Sequence, residues 1–176
     1  MKIRTLTPEY IPKAASLLDH AFAPSRYEVL LFDKLHERNR AVHEWICLIR
    51  DSVVAYIGFT NAYNGEEVVG LHLGPLAVQP QMQRQGIGSE LLRFALRQEV
   101  IRESTIFVLG NANFYQKFGF EPCNVPRSPF DKENKNFMCI RNPSCNEYTI
   151  GYEKEFKEIT LVKNRNKMPP KKRSRS

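Results

Sequence analysis

The chain has 176 residues, enough to bury one sizeable core and too few for a second independent domain. Hydrophobic residues make up 42% and charged residues 26%, which excludes a wholly disordered chain. The longest apolar runs, Trp45 to Ile49 and Ile106 to Leu109, fall far short of the roughly 18 residues that cross a bilayer.

Ile3 to Leu6 reads as a short extended segment, and Thr7-Pro8-Glu9 offers a helix start with proline in the first turn. Ile11, Ala14, Ala15, Leu17, Leu18, Ala21 and Phe22 recur at three- and four-residue intervals and predict a helix that Pro24 stops. Val29, Leu30, Phe32 and Leu35 suggest a second one. Trp45 to Ile49 and Val53 to Phe59 predict two antiparallel strands around a turn at Arg50-Asp51-Ser52. Asn64-Gly65 marks another turn, after which Val68 to Val78 predicts a central strand buried on both faces.

Ile87, Leu91, Leu92, Ala95 and Leu96 share one helical face, with Glu90, Arg93 and Arg97 on the other. Thr105 to Leu109 is a compact strand, Ala112 to Phe118 a short helix ended by Gly119, and extended segments follow at Phe137 to Arg141 and Tyr148 to Phe156. Helices interrupt strands without strict alternation, so the fold class is α+β with a mixed sheet. One domain over residues 1–160 is expected.

The formal net charge of +7 belongs to the end of the chain. Residues 163–176 hold Lys163, Arg165, Lys167, Lys171, Lys172, Arg173 and Arg175 and no acid, so the body is formally neutral. This segment reads as a disordered basic tail. It contains no aromatic residue for stacking, so nucleic acid is not expected at the body and only weak, salt-sensitive contact at the tail. The four cysteines, at 47, 123, 139 and 145, lack CxxC spacing, and the histidines at 20, 36, 43 and 72 are scattered; reduced thiols and no metal are expected. Met1-Lys2-Ile3-Arg4-Thr5 lacks the apolar region of a secretory signal, which points to a cytoplasmic protein without membrane contact, as a monomer or homodimer.

The chemistry concentrates where the strand Gly74-Pro75-Leu76-Ala77-Val78 passes through a polar loop into Gly86-Ile87-Gly88-Ser89 and an amphipathic helix. The first amides of a helix lack internal partners and sit at the positive end of its dipole, so they favour a phosphate. Two glycines let the phosphate approach the backbone. A dinucleotide-binding GxGxxG turn fits poorly: Leu91 stands at the third glycine, the loop between strand and first glycine is long, and the next strand ends Leu109-Gly110-Asn111 with no acid for a ribose hydroxyl.

Gln83-Arg84-Gln85-Gly86-Ile87-Gly88 resembles the hallmark of the GNAT acetyltransferases: Arg or Gln, two residues, Gly, one residue, Gly or Ala. The surroundings resemble the YhbS-like branch of that family, with Leu73-Gly74-Pro75-Leu76-Ala77-Val78 before the loop and Val108-Leu109-Gly110, Tyr115 and Phe118-Gly119-Phe120 after it. The resemblance is strongest from Ala55 to Phe120. It implies a GNAT fold, a single mixed, mostly antiparallel twisted sheet flanked by helices, and acetyl-CoA as cosubstrate. The backbone of Leu76, Ala77 and Val78 would pair with the pantetheine arm like an added strand. Gln83, Arg84, Gln85, Gly86, Ile87, Gly88 and Ser89 would hold the pyrophosphate, and Asn111 would bond the pantetheine. Tyr115 would be the general acid that returns a proton to the sulfur.

Attack on a thioester requires a neutral amine. A lysine-like amine of pKa about 10.4 is neutral roughly once in 2500 molecules at pH 7, a penalty of about 4 to 5 kcal/mol, so a base is useful. His72 is the candidate base, with Glu66 and Glu67 acting through water as the other candidates. The resulting expectation is transfer of acetyl from acetyl-CoA to a primary amine, small or on a protein, by direct attack in a ternary complex. A non-catalytic acyl-CoA-binding regulatory module and a polyanion-binding adaptor driven by the tail are the alternatives.

Overall fold

The structure is a computed structural model and describes residues 1–165. Strand β1 (Lys2–Thr5) leads through a 3-10 turn at Pro8–Tyr10 into helix α1 (Ile11–Ala21), and α2 (Tyr27–Glu37) follows. Thr7 is extended, as a helix-capping residue should be, but its side chain makes no capping bond. The hairpin strands β2 (Val42–Ile49), β3 (Ser52–Asn64) and β4 (Glu67–Val78) come next, then α3 (Ile87–Leu96), a single turn α4 (Glu99–Arg102), β5 (Ile106–Leu109) and the short α5 (Ala112–Tyr115). Strands β6 (Glu121–Pro122) and β7 (Phe137–Ile140) and helix α6 (Lys154–Arg165) complete the described chain.

Among the described residues the strands form one seven-stranded sheet in the order β1-β2-β3-β4-β5-β7-β6. Every pair is antiparallel except β4 with β5. The turn between β2 and β3 places Arg50 and Asp51 at φ +48° and +61°, the twist that tight hairpins favour. Period-two alternation sorts β2 between two cores. Trp45 and Cys47 join Ile57, Phe59, Leu91, Leu92 and Ala95 on the α3 side, whereas Ile46 and Leu48 meet Leu17, Leu18, Val29 and Phe32 from α1 and α2. This is the α+β mixed sheet the sequence leads one to expect.

Two expectations need correction. The stretch Tyr148 to Phe156 forms no strand: it makes isolated bridges, Tyr63 to Gly151 and Arg127 to Thr149, and residues from Lys154 onward are helical. The helix hides in the sequence because its buried apolar side is short, Phe156 and Ile159 among lysines and glutamates. It is held to the rest by charge: Arg38, just past α2, and Arg40 donate to the buried Glu155 carboxylate at 2.9 and 3.0 Å, and Arg38 and Lys34 reach Glu158. Helix α6 runs to Arg165, into the segment expected as a tail, and residues 166–176 of that segment lie outside the described residues.

The second correction concerns β4, buried on both faces only over Leu71 to Leu73. Ile57 pairs with Leu76 and Phe59 with Leu73, so Gly74 and Pro75 together oppose Gly58 and form a bulge. Parallel pairing with β5 covers Leu71 to Leu73 against Ile106 to Val108 and stops there. Leu109, the last residue of β5, pairs instead with Phe137 on β7. The two central strands therefore diverge, and Gly74 to Val78 have a strand neighbour on the β3 side alone.

Candidate functional site

The divergence of β4 and β5 opens a cleft of about 1100 Å³. Its floor carries Leu73, Gly74, Pro75, Leu76 and Val78 from β4, Val108 and Leu109 from β5, and Gly110 just after it. One end meets the head of α3, where Gln83, Arg84, Gly86, Ile87, Gly88 and Ser89 line the wall. Gly86 sits at φ +83°, a left-handed conformation that a β-carbon disfavours by about 1 to 2 kcal/mol. It turns the chain so that α3 points its N-terminus into the cleft. The amides of Arg84 to Ser89 have no hydrogen-bond partner among the described residues, while the Gly86 carbonyl accepts the Glu90 amide at 2.9 Å. A row of free donors at a helix head suits an anion.

Gly88 has a different reason to be glycine: a β-carbon there would lie 3.1 Å from Val78 Cγ2. It lets α3 pack close to β4. Gln83 Nε2 donates to the Val78 carbonyl at 3.1 Å and so ties the loop to the strand. Two residues of the expected set stand apart from the cleft wall. Gln85 donates to the Gln81 carbonyl at 3.3 Å on the exposed outer side, and the Ala77 side chain faces the α1 and α2 core.

Tyr115 lies on α5, directly after β5, and lines the same cleft. Gly110 makes this possible, since a β-carbon at that position would approach Tyr115 Cε2 to 2.7 Å. Phe114 and Phe120 hold the ring edge-on at 5.1 and 5.6 Å. Burial pushes the phenol up to about 12, so it stays protonated at neutral pH. Its hydroxyl has no hydrogen-bond partner among the described residues. Asn111 Oδ1 accepts the Asn113 amide at 3.0 Å and starts α5, leaving its side-chain amide on the cleft wall.

His72 also reaches the cleft, yet its surroundings are those of a core residue. It is 3% exposed, Nε2 donates to the Gly151 carbonyl at 3.0 Å, and the ring stacks on Tyr152 with centroids 3.6 Å apart. Burial drives its pKa down to about 3, with the Gly151 contact opposing weakly. Nδ1, the nitrogen left to accept a proton, is buried without a partner. Glu66 and Glu67 are exposed at the β3–β4 turn, and neither lines the cleft.

The opposite end of the cleft is walled by Tyr27, Glu28 and Leu31 of α2, Phe130, Tyr152 and Phe156. None of these was singled out from the sequence. They come from segments about 100 residues apart, and no motif joins them. Among the described residues no group of three or more His, Cys, Asp or Glu could hold a metal ion, and no helix is long and apolar enough to cross a membrane.

The chain has the GNAT fold, and its residues 40–122 match the acetyltransferase (GNAT) domain family. The chain is 42% identical over 106 residues to the uncharacterized N-acetyltransferase YjhQ of Escherichia coli K12, a match spanning 55% of this chain and 59% of that protein. It is similar in structure to the GNAT family N-acetyltransferase YhbS of Escherichia coli in complex with CoA, with a TM-score of 0.80, 22% identity and coverage of 89% of this chain and 91% of that one. A GNAT family acetyltransferase of Brucella melitensis in complex with acetyl-CoA gives a TM-score of 0.73 at 24% identity, covering 88% and 97%.

Proposed function

We propose that the protein transfers the acetyl group of acetyl-CoA to a primary amine. One observation carries the reading: the free amides at the head of α3, the singly paired edge of β4 and the unpartnered Tyr115 hydroxyl all face one continuous cleft. Pyrophosphate lies against Arg84 to Ser89. Pantetheine runs along Leu76 to Val78, whose free edge takes it as an added strand. Lys117 and Arg84 are the cations on the donor side.

The ammonium of the acceptor first releases a proton to solvent. Its nitrogen then bonds the thioester carbonyl carbon, the C–S bond breaks, the nitrogen loses a second proton and the sulfur gains one. Tyr115 donates its hydroxyl hydrogen bond to the departing sulfur. A phenol near 12 giving its proton fully to an alkyl thiolate of pKa about 8.5 would climb on the order of 5 kcal/mol, so donation supports the developing charge and transfer completes only as the phenolate is re-protonated. His72 at about 3 is too weak a base for an amine, and its role is to brace Tyr152 and Gly151.

Calorimetry with acetyl-CoA and a thiol-release assay with an amine panel test this. Binding that Gly86→Glu abolishes, together with amine-dependent thiol release, is the expected result. Binding without release from any amine leaves a regulatory acyl-CoA module instead, and unaltered affinity in Gly86→Glu removes the loop assignment.

A further inference from the structure

The chemistry of the acceptor is written on the far wall of the cleft. Tyr27, Leu31, Phe130, Tyr152 and Phe156 present four aromatic rings and one branched aliphatic side chain. They are fixed against one another: Phe130 meets Tyr152 edge-on at 4.8 Å, Tyr152 lies 5.1 Å from Phe156, and the Tyr27 hydroxyl donates to the Phe156 carbonyl at 3.3 Å. Phe130 is 38% exposed and stands at the mouth. Among the described residues that line the cleft, Glu28 is the one carboxylate. Its Oε2 accepts from the Ser25 hydroxyl at 3.0 Å, which orients the group and leaves Oε1 without a partner among the described residues.

We infer that the acceptor is a small primary amine with a single positive charge on an aromatic or branched apolar body, its ammonium bound by Glu28 and its body packed among Tyr27, Phe130, Tyr152 and Phe156. This rests on the acetyl-transfer reading above. A rigid apolar wall recovers free energy only from an apolar body, and one carboxylate satisfies one ammonium. Aromatic faces add to the attraction for that cation. A polyamine or an aminoglycoside brings several cations, each of which would need its own carboxylate. A peptide brings amides that these side chains cannot pair.

The test uses the full chain, methylamine as a reference amine and five probes: 2-phenylethylamine, 3-methylbutylamine, spermidine, kanamycin and an alanyl tripeptide. Calorimetry with acetyl-CoA comes first, because absent binding defeats the donor reading itself and is thereby told apart from failure of this one. With acetyl-CoA bound, kcat/KM for the two apolar amines should exceed that for the other three by at least about tenfold. Glu28→Gln, which keeps the shape and the Ser25 bond, should raise the amine KM about tenfold while kcat falls less and acetyl-CoA affinity is unchanged. Phe130→Ser, at an exposed site, should lower the preference for 2-phenylethylamine over methylamine. Preference for spermidine, kanamycin or the peptide, or turnover with none of the five, overturns the inference, as does a Glu28→Gln enzyme with an unaltered KM.

Discussion

At Tyr115 and His72 the same force, removal from water, acts in opposite directions and separates the residue the sequence offers as general acid from the one it offers as a candidate base. It raises the phenol and keeps its proton; it lowers the imidazole and keeps it neutral. Replacing Tyr115 by Phe should cut kcat by about 100-fold or more and leave acetyl-CoA affinity intact, as steady-state kinetics and calorimetry will show. His72 carries a stability prediction instead. Its folded pKa lies below the unfolded value of about 6.5, so its contribution is full above that value and is lost as pH falls toward 3, by up to about 1.4 kcal/mol per pH unit. His36 works the other way. Burial would lower its pKa, but bonds to Glu44 and the Phe32 carbonyl raise it, so its contribution is full below the unfolded value and is lost as pH rises through the folded one. Urea unfolding at pH 5 and 6.5 should therefore be less pH-sensitive in His72→Gln than in the parent; equal slopes would contradict a neutral buried His72. Sequence shows a histidine on an apolar strand and cannot show that Tyr152 and Gly151, some 80 residues away, enclose it.

Among the elements, α3 with its entry loop was legible because glycines and a helical apolar face are local signals. Gly86 at φ +83° and the stripe Ile87, Leu91, Leu92 and Ala95 follow from neighbouring residues alone. Gly86→Ala should destabilise the fold by about 1 to 2 kcal/mol through backbone strain, and Gly88→Ala should loosen the packing of α3 on Val78, both readable as shifts in thermal unfolding. The splay of β4 was not legible, since it depends on which residues of β3 face the Gly74-Pro75 bulge. Helix α6 was missed for a related reason: its attachment to α2 is an ion network whose partners lie more than 110 residues apart. Glu155→Gln leaves Arg38 and Arg40 facing a neutral amide and should cost about 2 kcal/mol of stability near pH 7. Burial opposes ionisation of Glu155, yet its own amide, Arg38 and Arg40 hold its pKa below the usual carboxylate value. The stabilisation is thus present above pH about 4.5 and fades as pH falls through the lowered folded value, so parent and variant should converge in acid.

Across the whole molecule the sheet brings three stretches of chain to one opening. Residues 40–122, the span of the family match, supply the splayed strands, the loop and the helix head. Tyr27, Glu28, Phe130, Tyr152 and Phe156 lie outside that span. Removal of residues 166–176, which include Lys167, Lys171, Lys172, Arg173 and Arg175, should leave acetyl-CoA affinity unchanged while weakening retention on a cation exchanger, a comparison calorimetry and chromatography make directly.

Because Tyr27, Glu28, Phe130, Tyr152 and Phe156 come from outside residues 40–122, the wall they form can change in sequence without altering the loop and helix head at the other end of the cleft. On the proposed reading, the middle of the chain can keep one acyl-donor site while the flanking stretches change and select a new recipient. Exchanging the residues at positions 27, 28, 130, 152 and 156 between two such proteins should then carry amine preference with them, making these flanking positions the inheritable part of specificity.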